Sequence, residues 1–223
     1  MTSTVVRYLA YALDRVMMDT QVWQQYQHRR AIREWVRAGQ PVPQAELTKH
    51  EVVIEYAERF RLHVFVETGT HFGIMVDAVK DVFDEIYSIE LSLALYNYAR
   101  RRFAGTEHVT ILQGDSGEIL DQVLARVNKP CLFYLDAHCS GWKISTRGKL
   151  ETAICGELDH IFGHSMASRH VILIDDARCF TGAQDYPTIE SLRIRSESAG
   201  FDSFEVKDDI IRIRNSRSQT YTS

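Results

Sequence analysis

From residue 63 onward, short apolar runs alternate with stretches of helical spacing. "HVFVE" (63–67) reads as a strand, followed by a glycine-containing turn and a helix from about Ile74 to Val82. "EIYSIE" predicts a second strand and "LALYNYARRRF" a helix; "HVTILQG" a third strand and "GEILDQVLARV" a helix. "PCLFYLDAH" is a fourth strand, then come a loop and the helix "KLETAICGELDHIFG". "HVILIDDA" is a fifth strand, followed by a loop and the helix "PTIESLRIRSESAG". "FDSFEVKDDIIRIRN" closes the pattern as two short strands around a turn at Lys207-Asp208. Strands that alternate with helices need crossover connections. The chain therefore predicts an α/β, doubly wound, mostly parallel seven-stranded sheet with helices on both faces and a C-terminal antiparallel hairpin. The near-continuous apolar runs at 131–135 and 171–174 suit central strands buried on both sides.

The first 60 residues follow another rule. Val5, Val6, Leu9, Leu13, Val16 and Met17 fall at helical spacing, as do Trp23, Tyr26, Ile32, Trp35 and Val36 on a second stretch ended by Gly39 and Pro41. "PQAELTKHEVVIEYAERF" reads as a third helix. The expected organisation is a helical extension over 1–60, a sheet domain over 61–215 and a polar tail over 216–223. Arg29, Arg30, Arg33 and Arg37 make the second helix basic, which suits a solvated face, with an acidic partner or membrane surface as the alternative. The generous aromatic stripe is a candidate homodimer surface.

Composition adds boundaries rather than a function. Hydrophobic residues make up 45% of the 223 and charged residues 25%, a globular balance. A net charge of -4 argues against a nucleic-acid binder. No apolar run approaches the roughly 20 residues that span a bilayer. Cys131, Cys139, Cys155 and Cys179 lack CxxC spacing and read as free thiols in a reducing, cytoplasmic setting.

The chemistry gathers at the carboxyl ends of the strands, where ligands bind in such sheets. The five strands before the hairpin end in Glu67-Thr68-Gly69-Thr70-His71-Phe72-Gly73, Glu90, Gly114-Asp115-Ser116, Asp136-Ala137-His138 and Asp175-Asp176. A carboxylate after a strand is often only a helix cap, but here each of the five strands delivers one. The first turn is E-x-G-x-x-x-G, not the G-x-G-x-x-G of dinucleotide sites, and its carboxylate would repel a diphosphate. That makes a nucleotide-sugar or nicotinamide enzyme the weaker reading. Glu90 is placed to accept both hydroxyls of a ribose, and Asp115 to accept from the exocyclic amine of an adenine. A nucleoside carrying positive charge and no phosphate is S-adenosylmethionine.

These residues resemble the cofactor site of class I S-adenosylmethionine-dependent methyltransferases, which have a Rossmann-like sheet. The "ETGT..G" form is similar to small-molecule O-methyltransferases of the catechol type, with His71 where the family usually has a glycine. The resemblance covers 63 to about 214, hairpin included. It implies a cofactor site of Glu67, Gly69, Thr70, Gly73, Glu90, Asp115, Ser116 and Asp136.

Asp136, Asp175 and Asp176 lie at two adjacent strand ends and could hold Mg²⁺, a hard ion that takes oxygen ligands and could lower the pKa of a bound hydroxyl. This pattern resembles the metal-dependent macrocin-type sugar O-methyltransferases, whose D-G-D is Asp136-Ala137-His138 here. His138 is then the candidate base beside Asp136, a further metal ligand, or a structural histidine. The loop 139–149, with Trp142, Lys143, Arg147 and Lys149, is expected to cover the substrate, and Arg178 and Tyr186 lie on the neighbouring loop. The sequence thus points to methyl transfer onto a hydroxyl of a small molecule such as a sugar. Its rivals are a metal-free methyltransferase and a catalytically silent nucleoside-binding or scaffolding domain of the same fold.

Overall fold

The computed structural model describes residue 37 and residues 46–136 and 152–216. The first expected helix, all of the second but Arg37, His138, Cys139, the covering loop and residues 217–223 lie outside them.

The first described helix, α1 (Glu46–Phe60), is followed by β1 (Val64–Thr68), α2 (Ile74–Val79), β2 (Glu85–Glu90), α3 (Leu93–Arg102) and β3 (Val109–Gln113). Then come α4 (Ser116–Leu124), β4 (Cys131–Leu135), α5 (Ile154–Gly163), β5 (Val171–Ile174), α6 (Ile189–Ser198), β6 (Ser203–Lys207) and β7 (Ile210–Arg214). The strands form one sheet in the order β3-β2-β1-β4-β5-β7-β6. The first five are parallel, while β7 runs antiparallel between β5 and β6. The chain winds outward from β1 to β3, then restarts at β4 on the other side of β1. The switch point, where such sheets open a crevice, therefore lies between β1 and β4. Thr68 pairs with Ile89 on one side and Leu135 on the other, so the carboxyl ends of β1, β2 and β4 are level.

Strand alternation builds two core layers. Val66, Phe133 and Ile172 face one, against Leu120 of α4 and Leu158 of α5. Phe65, Leu132 and Leu173 face the other, against Val76 of α2 and Val53, Tyr56, Ala57 and Phe60 of α1. The compact unit carrying the sheet begins at His50, inside α1, so this helix belongs with the sheet's core.

Several element ends fall inside the expected segments, as where α5 begins only at Ile154 and α4 ends at Leu124, and two ends have a clear local cause. Helix α2 stops at Val79, and Val82 N–H returns to Val79 O at 2.9 Å so that the chain can enter β2. The hairpin turn is Asp208-Asp209, one residue later than expected, with φ +54° and +57°. A two-residue turn of this hand needs positive φ at both positions. Aspartate tolerates that conformation, and Lys207 stays paired with Ile210.

The strand-opening histidines have structural partners. His108 Nε2 meets Lys80 O at 2.7 Å, and exposed His63 faces Asp84 at 3.2 Å. Buried His170 accepts Cys131 N–H at Nδ1 (3.0 Å), so its proton sits on Nε2, 2.8 Å from His164 Nδ1. Burial, reinforced by His164 and Arg169, pushes the His170 pKa down to about 3. Cys131, Cys155 and Cys179 are free thiols, and no helix among the described residues is long and apolar enough to cross a membrane.

Candidate functional site

In the turn after β1, every second residue from Gly69 to Gly73 has left-handed backbone. Gly69 has φ +90°, His71 +49° and Gly73 +70°. A glycine is usual at the middle position because L-residues rarely adopt this conformation; His71 adopts it. Gly69 and Thr70 N–H groups both donate to Ile89 O, at 2.9 and 3.2 Å, which folds the turn over the end of β2. Arg102 pins it from outside, donating to Phe72 O at 2.7 Å while pairing with Asp77 at 3.0 Å.

Two carboxylates shape this turn. Glu67 is buried and accepts from Ser88 Oγ at 2.5 Å; Ser88 in turn meets Thr70 Oγ1 at 2.6 Å. Glu67 and Ser88 are register partners in β1 and β2, so the pairing brings them together. Glu90, also buried, accepts His71 N–H through Oε2 (2.7 Å) and Ser92 N–H through Oε1 (2.8 Å). It thereby ties the turn to the start of α3 and uses one acceptor position on each oxygen.

Asp115 caps α4, its Oδ1 accepting Gly117 N–H at 3.0 Å. The helix-cap role open to any acid after a strand is thus present here. Ser116 donates to Glu157 Oε1 at 2.5 Å. Glu157 had no place in the sequence-based site; its only signal was a charged residue between Ile154, Leu158 and Ile161 on the buried stripe of α5. The contact exists because α5 crosses α4 closely: a Cβ on Gly156 would stand 3.2 Å from Gly117 O. His160, one turn on, meets Gly117 O at 2.9 Å.

Burial raises the Glu157 carboxyl to about 7, while the Ser116 and Thr68 hydroxyls pull it down and Asp115 pushes it up. Thr68 Oγ1 acts on it electrostatically without forming a full hydrogen bond, so Thr68 Oγ1 and Glu157 Oε2 are both buried without a hydrogen-bond partner among the described residues. The folded value lies above the ordinary carboxyl value of 4.5. The folded state therefore binds more protons between the two, and stability falls as pH rises through that window. Glu157→Gln is expected to remove this slope: between pH 5 and 8 the wild type should lose about 3 kcal/mol more than the variant. Denaturant melts of both proteins at the two pH values check it, and parallel losses would refute it.

At the ends of β4 and β5 the acids divide. Asp136 leans against the first turn, since a Cβ on Gly69 would stand 3.0 Å from Asp136 Cβ and 3.2 Å from its Oδ2. Asp175 is buried and accepts Tyr134 O–H through Oδ2 (2.7 Å) and Asp176 N–H through Oδ1 (2.8 Å). Asp176, at φ +56°, pairs through Oδ1 with Arg178 Nη1 at 2.8 Å. The same guanidinium pairs with Asp209 from the β6–β7 turn. Burial opposes the Arg178 charge, but Asp176 and Asp209 outweigh it and raise its pKa. Tyr186 packs edge-on against Phe180, ring centroids 5.5 Å apart. Sequence reasoning gave no role to Ser88, Tyr134 or Asp209. Asp209 carries no local signal, because its partner is 31 residues away.

The expected metal ligands do not form a ligand set in this arrangement. Among the described residues no three His, Cys, Asp or Glu side chains are grouped to hold an ion. Asp136 packs against Gly69 of the first turn, Asp175 is held by Tyr134, and Asp176 is paired with Arg178.

No protein-family profile and no curated protein matches the chain by sequence. Solved structures match it in fold. A protein described as a caffeoyl-CoA O-methyltransferase from Staphylococcus aureus superposes with a TM-score of 0.55 at 14% identity, covering 95% of this chain and 100% of that one. One described as an O-methyltransferase from Klebsiella pneumoniae gives 0.53 at 17%, covering 96% and 97%. The SAH-bound methyltransferase PaMTH1 of Podospora anserina gives 0.51 at 15%, covering 96% of each. The chain has the fold of class I S-adenosylmethionine-dependent methyltransferases.

Proposed function

We propose that this protein transfers the methyl group of S-adenosylmethionine to a hydroxyl of a small molecule, with a sugar or glycoside diol as the first candidate acceptor. The observation that carries the reading is Glu90: a buried acid at the end of β2 that holds the left-handed turn closed beside the switch point. Each oxygen keeps acceptor capacity for a ribose hydroxyl. Gly69, Thr70 and Gly73 bring backbone close to the methionine part, Glu67 and Asp136 supply negative potential for the sulfonium, and Asp115 and Ser116 take the adenine.

The reaction is a direct displacement. The acceptor oxygen forms a bond to the methyl carbon while the carbon–sulfur bond breaks, and its electron pair remains on sulfur in S-adenosylhomocysteine. In-line placement of the oxygen lowers the entropic part of the barrier. The hydroxyl proton goes to a base at the end of β4, where Asp136 and His138 are the candidates. A divalent ion at Asp136, Asp175 and Asp176 would acidify a bound hydroxyl, but the residues as arranged do not fit it. The pairing of Asp176 with Arg178 favours a reaction without one.

Calorimetric titration of S-adenosylmethionine and S-adenosylhomocysteine into the full chain, in EDTA and in Mg²⁺, tests the reading. Micromolar binding of both in either condition is expected, followed by turnover in a screen of hydroxyl acceptors. Binding without turnover on any acceptor would favour the silent nucleoside-binding domain. Absence of binding in every condition would remove the methyltransferase reading.

A further inference from the structure

Resting on the methyltransferase reading above, we propose that Arg178 is the resident cation at the acceptor end of the cleft. Held by Asp209, it takes the position on Asp176 that a divalent ion would need, and methyl transfer here does not depend on a bound metal. Asp175, Asp176 and Asp209 are all buried, and buried carboxylates require a counter-charge or strong donors. The structure supplies both. Tyr134 O–H and Asp176 N–H serve Asp175. The Arg178 guanidinium serves Asp176 and Asp209 together.

The arginine is held by its backbone as well as its charge. Asp209 Oδ1 accepts Arg178 N–H at 2.9 Å, and Asp209 O accepts Ala177 N–H at 2.8 Å. The hairpin turn therefore grips the segment after β5 at two consecutive residues. The left-handed conformation of Asp176 accompanies this arrangement. An ion bound to Asp176 would share the carboxylate with a guanidinium 2.8 Å from Oδ1. Two cations would then repel one another across a few ångströms of protein. Magnesium also demands near-octahedral oxygen ligation at about 2.0–2.1 Å, and Asp136 packs against Gly69 of the first turn.

Mn²⁺ is a direct probe of the competition. The free-ion paramagnetic signal is titrated against the full chain, the Arg178→Met variant, which keeps a side-chain stem without the charge, and Asp176→Asn. Wild type is expected to show no saturable Mn²⁺ binding below about 1 mM that depends on Asp176, and to melt at the same temperature in EDTA and in 5 mM Mg²⁺. Arg178→Met should bind Mn²⁺ at least tenfold more tightly than wild type, because removing the guanidinium leaves the carboxylates to the ion. Wild-type binding below 1 mM that Asp176→Asn abolishes would overturn the proposal. So would an Arg178→Met protein that gains no affinity. Should that variant fail to fold, the wild-type and Asp176→Asn titrations decide alone. Binding that survives Asp176→Asn lies elsewhere and leaves the proposal standing. S-adenosylmethionine is titrated into the same samples, so loss of the methyltransferase reading appears there, independently of the metal result.

Discussion

Replacing Glu90 with alanine is expected to weaken S-adenosylmethionine binding by about 100-fold or more. The side chain performs two tasks with one carboxylate. It accepts His71 N–H and Ser92 N–H, both charge-assisted bonds, and it is placed to receive the ribose. Alanine leaves two backbone donors without their acceptor near the protein interior, where each unsatisfied group costs about 1–3 kcal/mol. His71 sits at φ +49°, a conformation its neighbours must impose, so the turn should relax once the bond is gone. Binding is thereby attacked twice, through lost ligand contacts and through a turn that is no longer preformed. Calorimetry of wild type, Glu90→Ala and Glu90→Gln checks this. The glutamine variant keeps one acceptor oxygen and should fall between the other two. An alanine variant with wild-type affinity would mean that the cofactor, if bound, does not use the end of β2.

Gly73→Ala is the second large effect, and here stability is the readout. Gly73 has φ +70°, and a Cβ there would stand 2.6 Å from Cε2 and 3.0 Å from Cζ of Phe103. Phe103, the C-cap residue of α3, is buried in the core layer that includes α2 and the sheet, so its ring cannot simply swing away. The left-handed conformation costs an L-residue about 1 kcal/mol, and forcing a core ring to move about 1–3 kcal/mol more. A loss of about 3 kcal/mol, or about 6–10 °C in melting temperature for a chain of this size, is expected. Gly105→Ala serves as the control: nothing stands within 4 Å of its Cβ position, and it should melt close to wild type. Equal melting of the two variants would show that the turn is not packed as described. Because Gly73 closes the turn through its N–H to Thr70 O (2.7 Å), the same variant should also bind cofactor more weakly.

Read along the chain, periodicity identifies every strand of this sheet and the helices between them. Runs such as "CLFYL" and "VILI" are apolar at every position because both faces of β4 and β5 are covered, and local composition records that directly. Gly69 and Gly73 are equally legible, since a turn that needs positive φ leaves glycine as its trace. Each strand-end acid is visible in its place, as the pattern of sheet and turn requires. What those acids do is not visible, because a carboxylate's role depends on which donor reaches it, and donors arrive from distant segments. Asp115 caps its own helix, a partnership two residues long. Glu157 reaches Ser116 across 41 residues because two helices cross at Gly117 and Gly156. Arg178 meets Asp209 across 31 residues because β7 inserts beside β5 and carries the hairpin turn back to the strand ends. Three aspartates in a row of strand ends suggest one ion site in the sequence; the fold sends Asp136 toward Gly69 and gives Asp176 to an arginine. The elements, the sheet class and the glycine turn are legible along the chain because local backbone and burial preferences set them. How the charges pair emerges with the fold, because electrostatic partners are chosen by distance in space.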